Sequence, residues 1–139
     1  MSGYLNVKLQ RLQNCALRFV YRLRRDTRIV PYRQKANWLT IPSRRQYFLG
    51  NLTYQILSTS KPPYLFTRFV PVDESVRRSL RLQPSHFVLP FLRTNSLANS
   101  FWIRAIQFWN SLPPALHHIP SPAAFRTAIF AHLFNADRT

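Results

Sequence analysis

Residues 5–25 carry the most regular apolar pattern in the chain. Leu5, Leu9, Leu12, Ala16, Phe19 and Leu23 step by 4, 3, 4, 3 and 4. That spacing places all six on one stripe of an α-helix. At about 100° per residue they share one arc, and Lys8, Arg11, Arg18, Arg22 and Arg25 share a separate arc. The segment predicts a helix with one apolar face and one basic face. No acid occurs between Met1 and Arg25. A merely solvated face usually intersperses acids among its bases, because like charges three or four residues apart repel. The basic arc therefore reads as a phosphate-facing surface.

Further along, prolines punctuate the pattern. Pro31 and Pro42 each suit the first turn of a helix. Ser43 to Ser58 predicts a second long helix, with Phe48, Leu49, Leu52, Ile56 and Leu57 apolar. Gly50 within the second helix costs about 1 kcal/mol relative to Ala. Pro62-Pro63-Tyr64-Leu65 opens a short turn. From Val70 to Ser100 the helical period fails, and His86–Arg93 and Ser100–Arg104 read as short strands. Pro90 confines the first of these to a sheet edge. Pro113-Pro114 starts another turn. Ser121-Pro122 then pairs an N-cap with Pro at the first helical position. Phe125, Ile129 and Leu133 follow at i, i+4 and i+8 of a terminal helix over Ala123–Phe134. The pattern predicts a mainly α protein. Residues 1–60 form a basic helical bundle, and residues 61–139 form an extension with proline-rich loops, a short β hairpin and a terminal helix.

Charge sharpens this picture. The chain has 139 residues, 20 Lys+Arg and 4 Asp+Glu, a net charge of +16. Self-repulsion of that size favours a polyanionic partner. Lys8, Lys35 and Lys61 are the lysines; every other cation is Arg. Arg makes bidentate contacts to phosphate and stacks on bases. Hydrophobic residues reach 46%, enough for a core and too many for a disordered chain.

Much catalytic chemistry lacks its residues. Phosphoryl transfer on Mg²⁺ needs convergent carboxylates, and the acids are Asp26, Asp73, Glu74 and Asp137 alone. The adjacent Asp73-Glu74 pair reads as a surface loop. His117, His118 and His132 read as surface histidines, not metal ligands. Cys15, the single cysteine, excludes an intramolecular disulfide and reads as a small buried hydrophobe beside the apolar stripe. No Gly-rich phosphate loop or nucleophile elbow is present, with Gly3 and Gly50 the only glycines. No metal, cofactor or small-molecule substrate is expected.

Several segments together resemble one family. Leu9-Gln10-Arg11-Leu12-Gln13-Asn14-Cys15-Ala16-Leu17-Arg18 resembles the helix that follows the palm in LINE-type (non-LTR) retrotransposon reverse transcriptases of the jockey kind. Asn37-Trp38-Leu39-Thr40-Ile41 with Arg44-Arg45, and Pro62-Pro63-Tyr64-Leu65, are similar to the steps that come next. Arg93-Thr94-Asn95, Ser100-Phe101, Trp109-Asn110-Ser111-Leu112-Pro113 and Ser121-Pro122-Ala123-Ala124-Phe125 resemble the closing pattern. The resemblance spans about 120 residues and omits the fingers, the palm with its paired aspartates, and the endonuclease.

The resemblance implies a thumb-like region over roughly Leu5–Leu57 and a non-catalytic part of an RNA-directed DNA polymerase. Implied partners are RNA, DNA or RNA–DNA hybrid, with the palm and fingers of a parent polymerase, in a cytoplasmic or nuclear ribonucleoprotein. Lys8, Arg11, Arg18, Arg22 and Arg25 would hold the backbone, while the apolar arc of the first helix would pack either on Phe48, Leu52 and Ile56 of the second or on the palm. Trp38, Trp109, Asn110 and Pro113 would be structural, with Trp109 a core anchor and Asn110 bracing the turn before the prolines. Base stacking by Trp38 or Trp102 is a lesser reading. Two alternatives stay open: a translated remnant of a mobile element without a role, and a basic amphipathic protein of a membrane surface or mitochondrion. A membrane is not the favoured partner.

Overall fold

The computed structural model describes residues 3–72 and 85–138. Its described part is mainly helical. The helices are α1 (Gly3–Val20), α2 (Val30–Lys35), α3 (Ile41–Thr59), α4 (Pro63–Phe66), α5 (Asn95–Ala98), α6 (Phe101–Ser111), α7 (Pro114–His117) and α8 (Pro122–Ala136). They divide between two compact units. One comprises Met1–Tyr47 with Phe130–Thr139, the other Phe48–Ile129. The sequence placed a single boundary near residue 60; the units instead change over within α3 and within α8.

In the first unit, α1 stops at Val20, five residues before the predicted end. Arg22 takes a left-handed conformation (φ 51°). Arg22 N–H then bonds the Phe19 carbonyl and Leu23 N–H the Arg18 carbonyl. This is a Schellman cap, and it terminates a helix whatever apolar period continues past it. The same device closes α2: Asn37 has φ 54°, and Trp38 N–H reaches the Arg33 carbonyl at 3.0 Å.

At the start of α3, Thr40 acts as the N-cap. Its carbonyl accepts from Arg44 N–H and its hydroxyl accepts from Ser43 N–H. Asp137, from the end of the chain, reinforces the cap. Its carboxylate accepts from Thr40 N–H at 2.8 Å and from the Ser43 hydroxyl at 2.7 Å. A carboxylate at a helix N-terminus satisfies orphan N–H groups and suits the helix dipole.

The second unit is built on Ile56, Phe69, Ala105 and Ile106, with Leu49, Leu57, Leu65, Phe66, Phe87, Phe101 and Trp102 packed around them. Residues 100–104, read as a strand, begin α6 instead. Ser100 is its N-cap and accepts from Ile103 N–H. Ile103, Ala105, Ile106 and Trp109 form its buried face. Among the described residues, the predicted strand over 86–93 reduces to one antiparallel bridge, Pro71 with Phe87. On the other edge of Phe87, the Asn110 amide accepts from Phe87 N–H and donates to the Phe87 carbonyl, both at 2.9 Å.

Gly50 proves to be a packing residue. A Cβ there would lie 2.3 Å from Ile129 Cδ1 and 2.8 Å from Phe108 Cε1. The close approach of α6 and α8 side chains to the α3 backbone explains a glycine in mid-helix. Beside it, Tyr54 stacks on Phe125 at 4.3 Å and donates its hydroxyl to the Ile119 carbonyl.

Candidate nucleic-acid interface

The helical wheel of α1 has three faces. Asn6, Gln10, Gln13 and Leu17 are spaced 4, 3 and 4, like the apolar stripe, and share a third arc between the other two. That third face is the packed one. Leu17 is fully buried. Gln13 donates to the Leu39 carbonyl at 2.8 Å, and the Gln10 side-chain oxygen accepts from Ile41 N–H at 2.9 Å. Asn6 accepts from the Arg45 guanidinium. The two glutamines satisfy backbone groups at the start of α3 that would otherwise be orphaned.

With the amide face docked, the apolar arc is left open. Leu5, Leu12 and Phe19 are 42, 65 and 86% exposed. Phe48, Leu52 and Ile56, the partners expected on the second helix, belong to the other unit. Phe48 and Leu52 are themselves exposed, while Ile56 is buried among residues of its own unit. Cys15, read as buried, is exposed.

Lys8 and Arg11 stand exposed on the basic arc. Lys8 Nζ lies 4.6 Å from the centre of the Tyr4 ring. Arg18 is half-buried, with its Nε enclosed and unpartnered. It is therefore the least available of the predicted contacts. Arg22 and Arg25 are exposed, but on the turn after α1 rather than on the helix. There they stand with Arg24 and Arg28, also exposed, which the helical reading passed over. Lys8, Arg11, Arg22, Arg24, Arg25 and Arg28 pair with no acid among the described residues, although Asp26 lies in the same turn. The Asn6–Gln10–Gln13–Leu17 spacing was visible in the sequence. It was missed because amide side chains are not usually taken as a buried face.

Of the aromatic positions, Trp38 is half-buried and follows the α2 cap. Trp102 is half-buried too; its indole donates to the Arg68 carbonyl and the Arg68 guanidinium lies over its ring at 5.1 Å. Trp109 is 4% exposed and stacks on His117 at 5.0 Å. Asn110 braces Phe87 rather than the proline turn. Pro113 is exposed and immediately precedes α7.

The histidines differ from their surface reading. His118 is exposed, but His117 and His132 are half-buried. His117 Nε2 meets the Trp109 carbonyl at 2.8 Å, and Nδ1 meets the Ser85 hydroxyl at 2.7 Å. A carbonyl can only accept, so Nε2 carries the proton and Nδ1 accepts from Ser85. Burial lowers the His117 pKa from 6.5; the Trp109 carbonyl opposes this, and His86 and His118 add to it. Among the described residues no three His, Cys, Asp or Glu side chains converge as a metal site requires. Asp73-Glu74 lies outside the described residues. No helix among those described is long and apolar enough to cross a membrane.

No family model, curated protein or solved structure matches this chain.

Proposed function

We propose that this chain is a non-catalytic piece of a LINE-type reverse transcriptase that grips the sugar–phosphate backbone of RNA, DNA or an RNA–DNA hybrid. The observation that carries this reading is the orientation of α1. Its amide face is occupied, Lys8 and Arg11 stand exposed, and the turn behind the helix adds four exposed arginines. Cations at a helix C-terminus also sit favourably in the helix dipole. Arginines without acidic partners offer counterion release rather than base readout, so binding would be sequence-tolerant. The order of the family-like segments from Leu9 to Phe125 supports the assignment to a polymerase lineage. Intracellular ribonucleoprotein is the corresponding location.

The test is a salt series on a labelled RNA–DNA hybrid. Affinity should fall linearly on a log–log plot. The combined Arg11→Gln, Arg22→Gln and Arg25→Gln variant should flatten the slope by up to about 3, one counterion per lost phosphate contact. A slope unchanged by these substitutions would refute the interface.

A further inference from the structure

We propose that the apolar arc of α1 is a docking seam for an acidic amphipathic helix of a partner protein. Leu5, Leu12 and Phe19 follow one another at seven-residue intervals and are 42, 65 and 86% exposed. Half-buried Leu9 and exposed Ala16 fall between them and complete the 4–3 spacing. In a helix–helix seam Leu5, Leu12 and Phe19 would take the d positions, and Leu9 and Ala16 the a positions between them.

Three observations select the occupant. The arc is narrow. On one side it runs into Asn6 and Gln13, whose amides are engaged with the chain's own residues. A bilayer would have to bury that polar edge along with the apolar residues, whereas a single helix covers the stripe alone. On its other side the arc borders Lys8, with Arg11 behind it. Cations flanking a seam select a partner with acids at the facing positions. A second copy of this chain would bring its own Lys8 and Arg11 there. The chain's four acids are Asp26, Asp73, Glu74 and Asp137, and they form no helical stripe.

The inference stands on the apolar arc and has its own test. Three synthetic helices of about 21 residues serve as probes, a length that spans three heptads. The first has a leucine seam flanked by Glu, the second the same seam flanked by Lys, and the third Glu flanks with Ser in the seam. The full chain should bind the first at least about tenfold more tightly than the others, because burying one Leu or Phe is worth that much. The L12Q/F19Q variant should lose this preference and keep its hybrid affinity. Both positions are exposed, so the fold survives the change. Equal binding of the serine-seam probe would reduce the effect to charge and overturn the seam. Equal binding of the Lys-flanked probe would overturn acidic selection. Seam-dependent self-association would make the occupant a second copy. Seam-dependent binding to phosphatidylserine vesicles, without a probe preference, would make it lipid. Loss of hybrid binding in the arginine variant, with probe binding intact, would concern the nucleic-acid interface alone.

Discussion

Helices α1 and α8 carry equally regular apolar stripes and bury them very differently. In α8, Phe125 and Ile129 are fully buried and Leu133 is 4% exposed. In α1, the stripe of Leu5, Leu12 and Phe19 faces water, and the buried residue is Leu17, from another face. Periodicity states which residues share a face. It does not state which face finds a partner. In α1, Gln10 and Gln13 meet backbone groups beside the start of α3, and an unmet buried backbone group costs about 1–3 kcal/mol, as much as burying a leucine gains.

Side-chain truncation should break the two helices apart. Phe125→Ala removes a fully buried ring stacked on Tyr54 and should cost about 3–5 kcal/mol. Leu17→Ala should cost about 2–4 kcal/mol by the same mechanism. Phe19→Ala, in the apparently stronger stripe, should stay within about 0.5 kcal/mol of wild type. Urea unfolding of the three variants measures all of this. Similar losses at Phe19 and Leu17 would mean that α1 buries its stripe after all.

The junction of α3 and α8 provides a second contrast. Gly50→Ala gains about 1 kcal/mol of helix propensity, yet its new methyl collides with Ile129 and Phe108. Overpacking should win, for a net loss of about 1–2 kcal/mol in the same assay. Asp137→Asn keeps the shape of the α3 cap and removes its charge. It should cost about 1 kcal/mol, read as a drop in the urea midpoint.

A smaller effect separates stability from binding within α1 itself. Arg22 holds a left-handed conformation that glycine adopts at no steric cost. Arg22→Gly should therefore stabilise the chain by up to about 1 kcal/mol while weakening hybrid binding. Melting and binding measured on one sample should move in opposite directions.

The smallest effect is a pH slope. The folded pKa of His117 is depressed, so the unfolded chain binds the proton first as pH falls. Its contribution is intact above pH 6.5 and is lost as pH drops below that value. His117→Gln should flatten urea-derived stability against pH in that window, without changing its slope above pH 7.

Much of this architecture was legible in the sequence. The prolines at 31, 42, 63, 114 and 122 all fall in first helical turns, because proline's fixed φ suits those positions and few others. The α8 stripe was legible because its burial follows its period. The strands over 86–93 and 100–104 were misread because each apolar run is short, and short apolar runs do not distinguish strand from helix. Ser100 three residues before the buried Ile103 was the missed signal, an N-cap read as a strand end. The candidate interface was half legible. Composition named its charge. The Schellman cap at Arg22, which moved two of the five predicted cations onto a turn beside Arg24 and Arg28, depends on a backbone angle that no residue pattern declares. Nor does sequence spacing reveal that Asp137 returns to Thr40 and Ser43.

The central claim is that α1 docks through its amide face and leaves its other two arcs open. Cys15 sits on the wheel beside Lys8, at the edge of the basic arc that borders the apolar one, and is the chain's only thiol. Native-state thiol labelling therefore reports on both arcs at once. The account predicts that Cys15 reacts in the folded chain about as fast as in urea, once thiolate formation at equal pH is matched, and that a saturating RNA–DNA hybrid slows the reaction. A thiol that reacts only on unfolding would mean that α1 buries the surface proposed to bind, and would contradict the account.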